Sequence, residues 1–306
     1  LTGCSQGTSN SAKNGTTGSE NTIISESDIA ILDTEDMFTE RDRDTEYDES
    51  ECTAISLSDE ETKCDSDGVK MDGQTVTITE GGTYLLTGSL SNGSVVVDTD
   101  KTEKVQLILE NVSIINEEGA GICVEQADKV FITLADGSTN KIVSNSFTGN
   151  EDTNIDGAIF SREDLTLNGS GTLKITSAAH GIVSKDDLVL TGGVYQIQSE
   201  KQGLSGKESV RIADGTFTIT SGTDAIHSED TDEDTKGFVY ITGGVLTLAA
   251  GGDGISSSYV VQADGGSFDI STSSTETDTS TKGIKAQKYV ILKDGTYQLA
   301  TADDGI

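Results

Sequence analysis

Seven residues in the second half of the chain stand just before a recurring Gly-Ile or a close variant of it: Asp156, His180, Gln202, Asp224, Asp253, Lys282 and Asp304. Asp303 doubles the last of them. Asp224 and Asp253 hold equivalent places in consecutive repeats. Carboxylates stacked about 5 Å apart repel by roughly 1 kcal/mol in water and several-fold more near a protein surface. One hard cation with oxygen ligands at about 2.3–2.6 Å removes that cost, so the pair fits a Ca²⁺ held between two repeats. Gly251, Gly252 and Gly254 would let backbone carbonyls approach as further ligands. The competing reading is plain turn chemistry, for which Asp beside Gly is ordinary.

A basic column runs beside the acidic one. Arg162, Lys185 and Lys207 each fall three residues after the apolar residue of a repeat, and each is followed by acid: Glu163-Asp164, Asp186-Asp187 and Glu208. This is either a ladder of salt bridges or a strip that meets the carboxylates of an acidic sugar polymer. In a lyase, Lys185, Lys207 or Arg211 would take the proton α to a uronate carboxylate that Ca²⁺ has acidified. The acidic run from Glu229 to Asp234 has Asp230, Asp232 and Asp234 at alternate positions, as a calcium loop does. It has Thr235 where Gly is needed and Ile241 where the closing Glu is needed, so it reads as a solvated loop. The two histidines, His180 and His227, lie beside the column and read as turn residues. A Ser-His-Asp triad is conceivable only there, without a nucleophile elbow. Tyr84, Tyr195, Tyr240, Tyr259 and Tyr297 could stack on sugars, but each sits in a strand pattern and reads as a strand residue.

What must position these groups is a repeat. The apolar column is Ile122, Ile159, Ile182, Leu204, Ile226, Ile255, Ile284 and Ile306, at intervals of 37, 23, 22, 22, 29, 29 and 22 residues. Such self-similarity marks a solenoid. From His180 to Lys201, three short apolar runs and their turns fill one period: Ile182-Val183, Leu188-Val189-Leu190 and Val194-Tyr195-Gln196-Ile197. The expected fold is all-β, a right-handed parallel β-helix of about 22 residues per coil, with coils roughly 4.8 Å apart. Longer intervals are loops, before Asp156, at 229–236 and at 273–282. An uncovered edge at Ile306 suggests that further chain follows.

Composition agrees. The 306 residues include 35 Gly for turns and no Pro to interrupt ladders. With 53 acidic against 20 basic residues, the net charge is −33, which excludes nucleic acid and anionic membrane as direct partners and favours cations. Leu1-Thr2-Gly3-Cys4 resembles a bacterial lipobox, with Cys4 lipidated. The expected organisation is a lipobox (1–4), a Ser/Thr/Gly/Asn-rich tether (5–27), an acidic segment with a short helix that caps the first coil (28–52) and the β-helix (53–306). The location expected is the outer face of a bacterial cell membrane, lipid-anchored, as a monomer. Cys52 and Cys64 could pair in an oxidising exterior or remain free thiols. Cys123 should be a strand residue.

Several stretches resemble one secreted bacterial family. They are Tyr47-Asp48-Glu49-Ser50, Asp67-Gly68-Val69-Lys70, Gly81-Gly82-Thr83-Tyr84-Leu85-Leu86-Thr87-Gly88, Asp128-Lys129-Val130, Ala158-Ile159-Phe160-Ser161, Ser184-Lys185-Asp186-Asp187-Leu188 and Gly252-Asp253-Gly254-Ile255. Their order and spacing over 45–306 are similar to those of the carbohydrate-binding β-helix proteins, which are pectate-lyase-like in fold. The resemblance implies calcium-associated binding of plant cell-wall polysaccharide, cellulose and polygalacturonate, without established cleavage. It carries calcium onto Asp224, Asp253 and Asp303-Asp304, with Asp156 also in the column. The chain departs from the pattern at Lys201-Gln202 and Ala179-His180, where Asp pairs are expected. The readings left open are a glycan binder, an active polysaccharide lyase and a surface scaffold.

Overall fold

A computed structural model describes residues 32–148, 153–273 and 281–306. Cys4, the tether and Asp152 lie outside the described residues. One coil shows how the sequence builds the fold. His180–Ser184, Asp187–Leu190 and Val194–Ser199 are three strands separated by short turns. Each pairs in parallel with its counterpart one coil later: Ile182 with Leu204, Leu188 with Val210, Tyr195 with Phe217. The chain is a parallel β-solenoid with three sheets, here called the column, middle and closing sheets in the order in which a coil visits them.

Strand alternation puts every second side chain inside. Ile182, Leu188, Leu190, Tyr195 and Ile197 are all buried. The apolar column from Ile122 to Ile284 forms one continuous inner file, and each member pairs with the next. Each such burial contributes about 1.5–3 kcal/mol. Aromatic rings continue the stack: Tyr195 lies on Phe217 at 4.9 Å and Phe268 on Tyr297 at 4.7 Å, nearly parallel. The Tyr195 hydroxyl donates to the Gly192 carbonyl at 2.8 Å and is satisfied within its own turn. The corner before the closing sheet needs a left-handed residue, supplied by Gly193 at φ 100° and Gly215 at φ 130°. Cys123 is buried in its strand, and Cys52 and Cys64 are free thiols.

The N-terminal segment departs from expectation. Thr39 caps the helix Glu40–Arg43 with a capping box, but the segment does not cap the first coil. It lies along the outer face of the middle sheet. Arg41 sits 4.4 Å over the Phe131 ring, and Phe38 stacks on Tyr240 at 5.8 Å. Asp42, 2% exposed, accepts from Thr166 at 2.7 Å and pairs with Lys129 at 2.8 Å. The physical reason is chemical matching. The outward residues of the middle sheet there are polar or aromatic, and this segment satisfies them. The first coil adjoins antiparallel pairings instead, Ser56 with Lys63 and Val69 with Ile78.

Candidate functional site

The column residues share one structural task. Each sits where the chain enters a strand of the column sheet, and three accept the amide N–H of the corresponding residue one coil later. His180 Nδ1 accepts from Gln202 N at 3.2 Å, Asp224 Oδ1 from Asp253 N at 2.7 Å, and Asp253 Oδ1 from Lys282 N at 2.7 Å. The turn reading of this column therefore holds for one oxygen of Asp224 and one of Asp253. A side chain at Gly252 would come within 2.5 Å of Asp224 Oδ1, so the glycine is required for this approach.

Beside these aspartates lies a cavity of about 330 Å³. Asp224, His227, Glu229, Asp253, Ser256 and Lys285 line it. His227 Nδ1 lies 2.9 Å from Asp224 Oδ2, and its Nε2 is 3.7 Å from Glu229. Lys285 Nζ lies 3.0 Å from Asp253 Oδ2, which leaves Asp253 almost fully buried against a half-exposed lysine. The three carboxylates offer the oxygen donors a hard cation prefers, but their ligand atoms do not all lie within 4.8 Å of one another, and His227 and Lys285 already contact Asp224 and Asp253.

The five aspartates expected to bind metal do not gather into one centre. Lys282 holds both Asp303, at 3.2 Å, and Asp304, at 2.9 Å. Asp156 lies 3.6 Å from Lys185 and 3.5 Å from His180 Nε2. Asp156, Asp224 and Asp253 belong to different coils, while Asp303 and Asp304 share one coil and one lysine; Lys185, Lys285 and Lys282 lie beside Asp156, Asp253 and the Asp303–Asp304 pair and relieve repulsion there. Burial pushes His180 down to about 4 despite Asp156, so the ring is neutral and its Nδ1 is free to accept. Among the described residues the one trio of acidic groups with ligand atoms within 4.8 Å is Asp186, Asp187 and Glu208. Burial first, then Asp164 and Glu208, push Asp186 up to about 7.

The basic residues form the opposite rim, where the chain leaves the column sheet. Arg162 pairs with Glu125 at 2.6 Å and Lys207 with Asp232 at 2.8 Å. Their partners come from other coils and from the acidic loop, not from the acids that follow them. All three of Arg162, Lys185 and Lys207 keep more than a third of the side chain exposed. Arg211 does not join them. It points outward from the middle sheet, paired with Asp187 and donating to the Met37 carbonyl. Asp230 is buried, and its Oδ1 accepts the amides of Asp232 and Glu233, so the acidic loop is a self-capped turn.

Lys285 and Ser256 are not singled out by the sequence, and Glu229 enters there only as the start of the acidic run. The signal existed: His227, Ser256 and Lys285 each directly follow the column isoleucine and pair across consecutive coils.

Residues 72–306 match a family model described as carbohydrate-binding domain-containing protein. A protein of Acetivibrio thermocellus with the same description is 34% identical over 137 residues, 44% of this chain and 48% of that protein. The match thus spans about half the length of the relative. A solved structure, described as the polysaccharide lyase-like protein from C. thermocellum in a gadolinium derivative, superposes with a TM-score of 0.73. It is 31% identical and covers 80% of this chain and 100% of its own.

Proposed function

Because the chain belongs to the family of carbohydrate-binding domain-containing proteins, we propose that it is a calcium-assisted binder of acidic polysaccharide, held outside the cell by a lipid on Cys4. The outer face of the column sheet is the binding surface. An acidic rim precedes its strands and a basic rim follows them. The strands between are three to five residues long, a width of about 10–17 Å. A glycan running along the solenoid axis would lie between the rims. Its carboxylates would meet Arg162, Lys185 and Lys207 on one side. On the other, Ca²⁺ at Asp224 and Asp253, in exchange for the contacts that His227 and Lys285 now make with their second oxygens, would supply a positive charge that an acidic protein otherwise lacks.

The observation that carries this reading is the cavity that Asp224, Glu229 and Asp253 line together. Binding is favoured over cleavage by the state of the candidate bases. A lyase base must give up its proton near neutral pH. The hydrogen bond to Asp232 raises the Lys207 ammonium above its usual range, and Arg211 is held by Asp187 under the N-terminal segment. Calorimetric titration of chelator-stripped protein with polygalacturonate, with and without Ca²⁺, tests the proposal. Heat that appears only with Ca²⁺ is expected. Equal binding in both conditions removes calcium from the mechanism, and unsaturated uronide absorbance on incubation would replace the binder with a lyase.

A further inference from the structure

The three outer faces of the solenoid differ in what they offer. The column sheet carries the two charged rims, and the N-terminal segment covers part of the middle sheet. The closing sheet is open. Seven of its strands, from Thr139–Ser144 to Thr296–Ala300, stack in parallel register without a bulge. Its outward residues form three files along the solenoid axis. From the second of these strands to the sixth, the central file reads Lys174, Gln196, Thr218, Thr247 and Asp269, all exposed.

The two charges in that stretch are opposite in sign and stand two coils to either side of Thr218. Among the described residues, neither Lys174 nor Asp269 has an ion-pair or hydrogen-bond partner within the chain. In the neighbouring file, Val194 and Val245 stand one coil to either side of Thr216. Val245, 50% exposed, is one of three large apolar side chains left in solvent among the described residues. The face is thus complementary to itself when its order of coils is reversed.

We infer that this face pairs with the same face of a second copy, about a two-fold axis that lies along the strand Thr216–Ser221. Such a rotation reverses the solenoid axis and keeps the strand direction, so each file meets itself in the opposite order. Lys174 then faces the partner's Asp269, and symmetry makes that contact twice. Val194 faces the partner's Val245, and Thr218 meets its own counterpart. Lys141, the one other charge at an outward position of these strands, faces Gln298, so no like charges meet. A shift of one coil in either direction separates the valines and leaves Lys174 opposite an uncharged residue, so the pattern also fixes the register. Sheets packed face to face lie about 10 Å apart, a gap that a lysine stem and an aspartate span. Seven strands about 4.8 Å apart and about 20 Å long offer about 600 Å² per copy, so a dimer buries about 1,200 Å², the lower end for a specific interface. This weak dimer would replace the monomer expected from the sequence, and it leaves the column sheet of each copy open.

The test is sedimentation equilibrium of the full chain in chelator, from micromolar to near-millimolar concentration. Salt of about 0.15 M screens the repulsion between two acidic copies beyond about 8 Å. The mass should rise with concentration from 31.9 kDa towards twice that value and no further. Lys174→Asp or Asp269→Lys alone sets two like-charge contacts in each dimer and should raise the dissociation constant by about tenfold or more. The double variant Lys174→Asp, Asp269→Lys restores the pairs with their signs exchanged and should associate like the wild type. Unfolding temperatures should not change, because both side chains are exposed and unpaired. A wild type that stays monomeric, single variants that associate as tightly as the wild type, or a double variant no better than the single ones would each overturn the inference. A monomer that loses polysaccharide binding on Lys174→Asp would also overturn it and give the face to the glycan. The measurement is made without calcium, so the calcium reading stands or falls separately.

Discussion

If calcium occupies the column cavity, Lys285 is its competitor. The ammonium lies 3.0 Å from Asp253 Oδ2. A Ca²⁺ that takes the same oxygen at about 2.3–2.6 Å would sit within about 5 Å of that charge. Lys285 is 48% exposed, so the dielectric of water is the fitting one. A divalent and a monovalent charge at that distance repel by about 1.5–2 kcal/mol. The lysine avoids part of this by swinging into solvent, at the loss of a partly exposed pair worth about 0–1 kcal/mol. Lys285→Met keeps the apolar stem and removes the charge. Calcium affinity should then rise by about tenfold, which corresponds to about 1.4 kcal/mol. Asp253→Asn should abolish it, because the amide can still accept from Lys282 N but brings no charge. Calorimetry with chelator-stripped protein reads both. An unchanged or weakened calcium affinity in Lys285→Met would refute the argument, since a cation at Asp253 cannot be indifferent to its nearest counter-ion.

Two further perturbations probe the scaffold. Burial holds His180 at about 4, below the usual histidine value of about 6.5, so the unfolded chain binds more protons between these values. The His180 contribution to stability should therefore be complete above about pH 6.5 and fall by up to about 3 kcal/mol as pH drops towards 4; urea melts of wild type and His180→Asn across pH 4–7.5 should show it as the difference between the two, since Asp186, raised to about 7, titrates in both. Asp42→Ala leaves Lys129 beneath the N-terminal segment without its carboxylate. It should cost about 3 kcal/mol and expose the 32–44 segment to limited proteolysis, and a variant with wild-type stability and protection would show that the segment is not anchored there.

The fold was legible because its information is local and repeated. Ile182, Leu204 and Ile226 recur at one period, and a parallel solenoid turns that period directly into contact. The inward direction of Tyr195 follows from its place between Val194 and Ile197 in an alternating strand. The site was legible only in part. That Asp224 and Asp253 meet can be read from the column. That each meets a basic side chain cannot, because Lys285 comes from the next coil and His227 from the strand that Asp224 itself leads into, and both reach the aspartates only in the folded coils. The N-terminal segment was the least legible. Arg41 meets Gln106 65 residues away, and Asp42 meets Thr166 124 residues away. No period links such partners, so only the chemistry of the finished middle sheet selects them.

This division between inside and outside explains how a strongly acidic chain can present surfaces of different character. Inward positions are fixed by packing, and substitution there creates cavities in a continuous core. Outward positions are held only to strand propensity and solubility, so each file can be tuned alone. The column aspartates illustrate the result. One oxygen of Asp224 and of Asp253 holds the coil spacing through a backbone amide, while both residues line the cavity. A structural role and the proposed binding role would therefore reside in the same side chain. An alanine at either position would confound the two, whereas asparagine separates them: it can keep the ladder bond and removes the charge. Loss of calcium binding with intact stability in Asp224→Asn would assign the second oxygen to the ion, and joint loss of both would assign the column to folding alone.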